Sequence, residues 1–236
     1  MSLHFYPLTI KQIIKETSDC VSIAFIIPEH LKNIFTYKQG QYITIKTIIE
    51  GVEVRRSYSL CSSPLDNEFK IAIKKVEGGL FSSFANDVLK AGDVLETMPP
   101  MGKFFTALNP TNKKEYVGFA AGSGITPMLS IIKTTLQTEP NSSFSLIYGN
   151  KNSTSIIFKE QLEGLKNKYL SRFQLIHILS REKTDADINY GRIDHFKCNR
   201  LFENLLNINS DEFFICGPEE MIFSVKDFLE NRLVEE

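Results

Sequence analysis

Tryptophan is absent from these 236 residues, cysteine occurs four times, and no apolar run approaches the roughly 18 residues that a bilayer span requires. Cys20, Cys61, Cys198 and Cys216 are too widely scattered for a CxxC metal site or a disulfide framework. Cys20 and Cys198 are expected to be small buried apolar groups. Charge of one sign is missing too: 27 Lys and Arg stand against 28 Asp and Glu, a net charge of -1, which leaves no basic excess to neutralise nucleic-acid phosphates. No histidine stands at a metal-ligand spacing, so no metal site is expected, and His177 in "FQLIHIL" is expected to be a strand residue. The opening "MSLHFYPLTI" lacks the basic start and apolar stretch of a signal peptide, so a cytoplasmic location without a membrane partner is expected.

What is present falls into two halves, as a length above that of one typical domain predicts. Over residues 1–108 the apolar residues come in short β-branched and aromatic runs: "LTIKQIIKET", "CVSIAFIIP", "GQYITIKTII", "VEVRRSYSL", "EFKIAIKKV" and "DVLETMPP". Turn signals at Thr17–Asp19, Pro28, Gly51 and Pro64–Asn67 separate them, and only Leu80–Lys90 has helical spacing. This pattern predicts an antiparallel six-stranded Greek-key barrel with a capping helix. The polar stretch Asn109–Glu115 reads as a linker. Over 109–236, "YVGFA", "FSLIYG", "FQLIHIL" and "EFFIC" alternate with helical patterns at Pro127–Gln137, Ser155–Leu170, Phe196–Leu206 and Pro218–Leu233. Such alternation predicts an α/β open parallel sheet, with "AGSGITP", "YGNKN", "LSREK" and "CGPEE" at the carboxyl ends of its strands, where ligands bind.

In "GSGITP", Gly122 and Gly124 permit a close approach to the backbone, and Pro127 is expected at or near the first helical position, where its missing N–H costs nothing. The loop offers N–H groups and a helix dipole to an anion, although a G-x-G pair alone is equally compatible with simple turn chemistry. In "RRSYSLCSSP", alternation puts Arg56 and Tyr58 on one strand face and Ser59 on the other, with a strand-end bend able to bring all three to one ligand. Arg56 suits a phosphate, Tyr58 a flat ring and Ser59 a ring nitrogen. The alternative is an edge strand with a solvated Arg and a core Tyr. "EGGLFSSFAND" sets Gly78, Gly79 and Ser82 at a second helix start, suited to phosphate or to an ordinary cap by Ser82 or Ser83.

In this order, "RSYS", "GGLFS", "GSGITP" and "CGP" resemble the ferredoxin-NADP reductase superfamily, in particular the reductase components of bacterial multicomponent oxygenases of the phenylacetyl-CoA oxygenase type. The resemblance covers nearly the whole chain and implies an FAD-binding barrel followed by an NAD(P)-binding domain. It implies Arg56 on the flavin pyrophosphate, Tyr58 on the isoalloxazine, Ser59 near flavin N5, and Gly79, Leu80, Phe81 and Ser82 as a second phosphate cradle, with Ser57, Leu60, Ile73 and Lys75 also in the FAD site. On the nicotinamide side it implies Gly122, Ser123, Gly124, Thr126 and Pro127 in the dinucleotide loop, Asn150 beside it, and Cys216, Gly217 and Pro218 near the hydride donor. Ser59, Thr126 and Cys216 are then the residues closest to the chemistry.

The implied activity is hydride transfer from NAD(P)H to FAD N5, with electrons passed singly to an iron-sulphur protein or oxygenase component. In "SREK", Ser180 and Arg181 resemble the pair with which related reductases hold a 2'-phosphate and no acid follows the second parallel strand, so NADP is expected, with NAD, and Arg181 as a solvated helix-start charge, as the alternative. Relatives continue into a plant-type [2Fe-2S] domain, whose C-x4-C-x2-C...C ligands these four cysteines cannot supply, so the acceptor is expected to be a separate protein or a segment beyond Glu236, with free flavin or oxygen as the alternative. An electron-transfer subunit of a larger enzyme and a non-catalytic nucleotide-binding module remain alternatives, and the oligomeric state stays open.

Overall fold

The computed structural model describes residues 4–234; Met1–Leu3, on which the expectation of no signal peptide partly rests, lie outside the described residues. The chain forms two compact units: one up to Ala107 together with Leu129–Thr134, the other Leu108–Met128 with Thr135 onward.

In the first unit, strands β1 (Tyr6–Thr17), β2 (Cys20–Ile26), β3 (Tyr42–Ile49), β4 (Val52–Ser59), β5 (Phe69–Lys74) and β6 (Val94–Thr97) pair antiparallel in the order β4-β3-β6-β1-β2-β5. The β3–β4 hairpin turns on Glu50 and Gly51, both at positive φ (51° and 81°), the conformation whose twist matches the flanking strands. A Leu60–Ile71 bridge and a 2.8 Å bond from Cys61 N–H to the Lys70 carbonyl join the edge strands β4 and β5, curling the sheet into a barrel. Inward side chains such as Leu8, Ile23, Ile43, Ile45, Leu60 and Ile71 fill it. Helix α1 (Leu80–Asp87) packs Phe81 and Ala85 onto that core.

In the second unit, β7 (Glu115–Ala121), β8 (Ser143–Asn150), β9 (Phe173–Leu179) and β10 (Glu212–Cys216) are all parallel, in the order β10-β7-β8-β9. Helices α2 (Ile125–Thr138), α3 (Lys159–Lys168), α4 (His195–Asn204) and α5 (Glu219–Val234) alternate with them. Val117, Phe119, Ile147, Ile176 and Ile178 bury one sheet face against Cys198 and Leu201 of α4 and Val225 and Phe228 of α5. Successive strands run outward from β7 through β8 to β9, whereas β10 adds on the opposite side of β7. The order therefore reverses between β7 and β10, which opens a crevice outside their carboxyl ends.

Two helix starts differ from their sequence reading. The helix expected from Ser155 begins at Lys159, because Asn152 and Ser155 close a reciprocal cap around a short 3-10 turn and Phe158 then takes a left-handed φ of 61°. Pro127, expected at or near the first position, is the third residue of α2, which starts two residues earlier; its missing N–H is still one that a helix leaves unbonded. No helix among the described residues is long and apolar enough to cross a membrane.

Candidate functional site

In the barrel, β4 carries Val54, Tyr58 and Leu60 toward the core, and alternation places Arg56 on the same face. Arg56 is exposed; its guanidinium donates to the Arg55 carbonyl at 2.7 Å and meets no carboxylate among the described residues. Tyr58 is half-buried, its ring 5.6 Å from that of Phe81, and burial pushes its phenol up to about 12 despite the opposing Arg56 charge, so it is neutral. Ser59 is half-buried, and its hydroxyl has no hydrogen-bond partner among the described residues.

Other sequence-selected side chains here already have structural work. Ser57 is bonded to Thr44 at 2.9 Å, Leu60 and Ile73 are fully buried in the core, and Lys75 is paired with Asp87. Neither Ser82 nor Ser83 caps α1: the N-cap is Gly79, and the Ser82 hydroxyl donates to the Gly79 carbonyl while accepting from Val76 N–H, both at 3.1 Å. A Cβ on Gly79 would lie 2.4 Å from the Ser82 oxygen and would displace that hydroxyl from its bonds in this turn. The first-turn N–H groups of Leu80, Phe81 and Ser82 are those that a helix leaves for an outside acceptor.

In the second unit, a 3-10 turn at Gly122–Gly124 leads from β7 into α2. Gly122 has φ +52°, and a Cβ there would meet open space. Gly124 is constrained by space: a Cβ would lie 2.0 Å from the Cys216 carbonyl, so the loop touches the end of β10 across the crevice. Gly217 is similarly tight against Met221 and Ala121. Ser123 is exposed, whereas Thr126 is buried and its hydroxyl donates to the Ser123 carbonyl at 3.0 Å. That carbonyl also accepts from the Ile125 N–H. Cys216 is half-buried, and burial raises its thiol above the ordinary value.

Asn150 ends β8, one residue beyond the pairing of Gly149 with Ala121; its side-chain NH2 is buried without a partner. The Asn150 carbonyl accepts from Ser180 N–H at 2.9 Å, and the Lys151 carbonyl from Arg181 N–H at 2.8 Å. Two exposed cations, Lys151 and Arg181, thereby stand side by side at the strand ends. The neighbouring acid is engaged elsewhere: Glu182 accepts from Ser153 N–H and hydroxyl at 2.7 and 2.9 Å, bonds that hold its carboxyl below the ordinary value. Lys151 and Glu182 were not singled out by sequence reasoning, although "GNKN" and "SREK" carry both. Tyr148 was missed as well; it is fully buried, and its hydroxyl donates to the Gly122 carbonyl at 3.0 Å.

The residues fit the two groups their pattern implies. The barrel presents a guanidinium without an acid partner, an unpartnered hydroxyl and a neutral ring, while the sheet presents a glycine turn and an orphaned buried amide NH2. His177 lies in β9 with neither ring nitrogen hydrogen-bonded, Nε2 standing 3.7 Å from the Glu163 carboxylate, and burial lowers its pKa. No group of three or more His, Cys, Asp or Glu able to hold a metal occurs among the described residues.

A barrel and a parallel sheet carrying such groups are suited to a flavin and a nicotinamide nucleotide. Residues 7–106 match the oxidoreductase FAD-binding domain and residues 119–227 the oxidoreductase NAD-binding domain. It is 45% identical over 219 residues to a component of the 1,2-phenylacetyl-CoA epoxidase of Escherichia coli (strain K12), across 92% of this chain and 62% of that protein. It is 37% identical over 227 residues to the ferredoxin reductase component of 3-ketosteroid-9-alpha-monooxygenase from Rhodococcus rhodochrous, across 94% and 60%. The chain thus spans about three-fifths of the length of these curated relatives. A ferredoxin NADP+ reductase from Neisseria gonorrhoeae, solved with bound FAD and NADP, shares the fold with a TM-score of 0.78 at 20% identity, over 96% of this chain and 91% of that one.

Proposed function

We propose that this chain is the reductase of an oxygenase-type system, taking electrons from NAD(P)H and passing them to an iron-sulphur protein or oxygenase component. FAD, when bound, accepts the electron pair with the hydrogen from NAD(P)H and returns electrons one at a time. Residues 1–108 hold it: Arg56 and the N–H groups at Gly79–Ser82 bind the two ends of its pyrophosphate region, Tyr58 supports the ring system and Ser59 donates to N5. Residues 109–236 hold the nicotinamide nucleotide, with Gly122–Pro127 and Asn150 on its backbone and Cys216, small and polarisable, beside the reacting ring. Ser180 and Arg181, helped by Lys151, select NADPH by binding the 2'-phosphate.

The observation that carries this reading is the contact of Gly124 with the Cys216 carbonyl, which unites the dinucleotide turn and the sulphur-bearing strand end at the sheet's reversal point. The test is to supplement the purified chain with FAD and add NADPH or NADH without oxygen. A yellow protein bleached by either is the expected result, with NADPH the more efficient. Arg181→Ala should weaken NADPH about tenfold and leave NADH unchanged, since one charge-assisted hydrogen-bond partner is lost. A protein that stays colourless after supplementation overturns the reading in favour of a nucleotide-binding module.

A further inference from the structure

The Gly122–Gly124 turn has two inward carbonyls, and each is held by a side-chain hydroxyl. Tyr148 reaches from β8 to the Gly122 oxygen at 3.0 Å, and Thr126 reaches back to the Ser123 oxygen at 3.0 Å. Both donors are buried, Tyr148 completely. In a planar trans peptide the C=O of one residue and the N–H of the next point in opposite directions. Drawing the Gly122 and Ser123 carbonyls into the protein therefore turns the N–H groups of Ser123 and Gly124 outward. The Ile125 N–H donates to both carbonyls as well, so each is held by one backbone and one side-chain donor.

We propose that Tyr148 and Thr126 are positioning residues that set the polarity of this turn, so that the Ser123 and Gly124 N–H groups face the phosphates of the dinucleotide. This rests on the reading that NAD(P)H binds at the turn. Beside the Ile125 N–H, the Tyr148 hydroxyl adds a second hold on a peptide whose glycine, at φ +52°, would otherwise resist a flip less strongly. The role belongs to binding, since neither hydroxyl has to touch a reacting atom.

The test uses the FAD-supplemented full chain and calorimetric titration with NADP+ and, separately, with inorganic pyrophosphate. Tyr148→Phe keeps the buried ring and removes only one of the two donors to the Gly122 carbonyl; it should raise both dissociation constants about fivefold, the effect of losing one hydrogen bond. The limiting rate of anaerobic flavin bleaching at saturating NADPH should change less than twofold, separating binding from chemistry. Thr126→Val should weaken both ligands similarly, and Thr126→Ser should restore them, which also decides the matter should Tyr148→Phe not fold. Gly124→Ala serves as the reference, because its Cβ cannot be accommodated beside Cys216. If Gly124→Ala loses NADP+ while Tyr148→Phe and Thr126→Val bind it like the parent, the positioning role is wrong and the binding site stands. If Gly124→Ala folds and binds NADP+ like the parent, the binding site itself is misplaced.

Discussion

Glu139 is completely buried, and its carboxylate accepts four hydrogen bonds, from Asn109 N–H, Asn112 Nδ2, Tyr116 Oη and Ser142 Oγ, at 2.7 to 3.0 Å. Burial pushes its pKa up, but these donors outweigh burial and hold it below the ordinary carboxylate value. The folded-state pKa is therefore depressed, so the stabilisation is complete above the unfolded-state value and disappears as pH falls through the folded one. Glu139→Gln puts an NH2 against groups that are themselves donors, and should cost about 2–3 kcal/mol at neutral pH. Urea unfolding of parent and variant at pH 7 and below pH 4 checks this: the gap should shrink as the parent's carboxyl protonates. A constant gap across that range removes the proposed charge dependence.

At the scale of elements, both sheets were legible because β-branched runs bounded by Gly, Pro and Asn turns specify strands locally, as at Gly51 between β3 and β4. Helix starts were less legible where a local polar side chain takes up backbone groups in a way that periodicity does not reveal: the cap at Asn152 moved the start of α3, and the Ser82 hydroxyl is consumed by its own turn. Of the candidate sites, "RSYS" and "GSGITP" announced their residue types, but the hydroxyl holding Gly122 comes from 26 residues away and had no local signature. Lys197 is a similar case. From α4 its buried ammonium donates to the carbonyls of Asp187, Ile188 and Tyr190 at 2.7 to 3.1 Å, pinning the segment that follows β9 to the helix. Lys197→Met should fill the same space but leave three acceptors unserved, costing about 2 kcal/mol or more. Faster amide exchange confined to residues 187–190 is the expected signature; unchanged exchange there would show that the ammonium anchors nothing.

Across the whole molecule, each unit has its own hydrophobic core, and the cysteines are divided between them, with Cys20 and Cys61 in the first and Cys198 and Cys216 in the second. Burial pushes Cys20, Cys61 and Cys198 up to about 12 and raises Cys216 as well. Because the thiolate is the reactive form, incubation with iodoacetamide near pH 8 should label almost no sulphur in the folded protein, whereas unfolding should release all four sites, as intact-mass measurement will show. Rapid labelling of the native protein would contradict these sheltered environments. A flavoprotein that meets oxygen generates peroxide as a by-product whenever its electrons stray. With Cys20, Cys61 and Cys198 buried and the pKa of all four thiols raised, the folded chain should resist peroxide at its cysteines, and its preparations should keep these thiols reduced in air without added dithiothreitol.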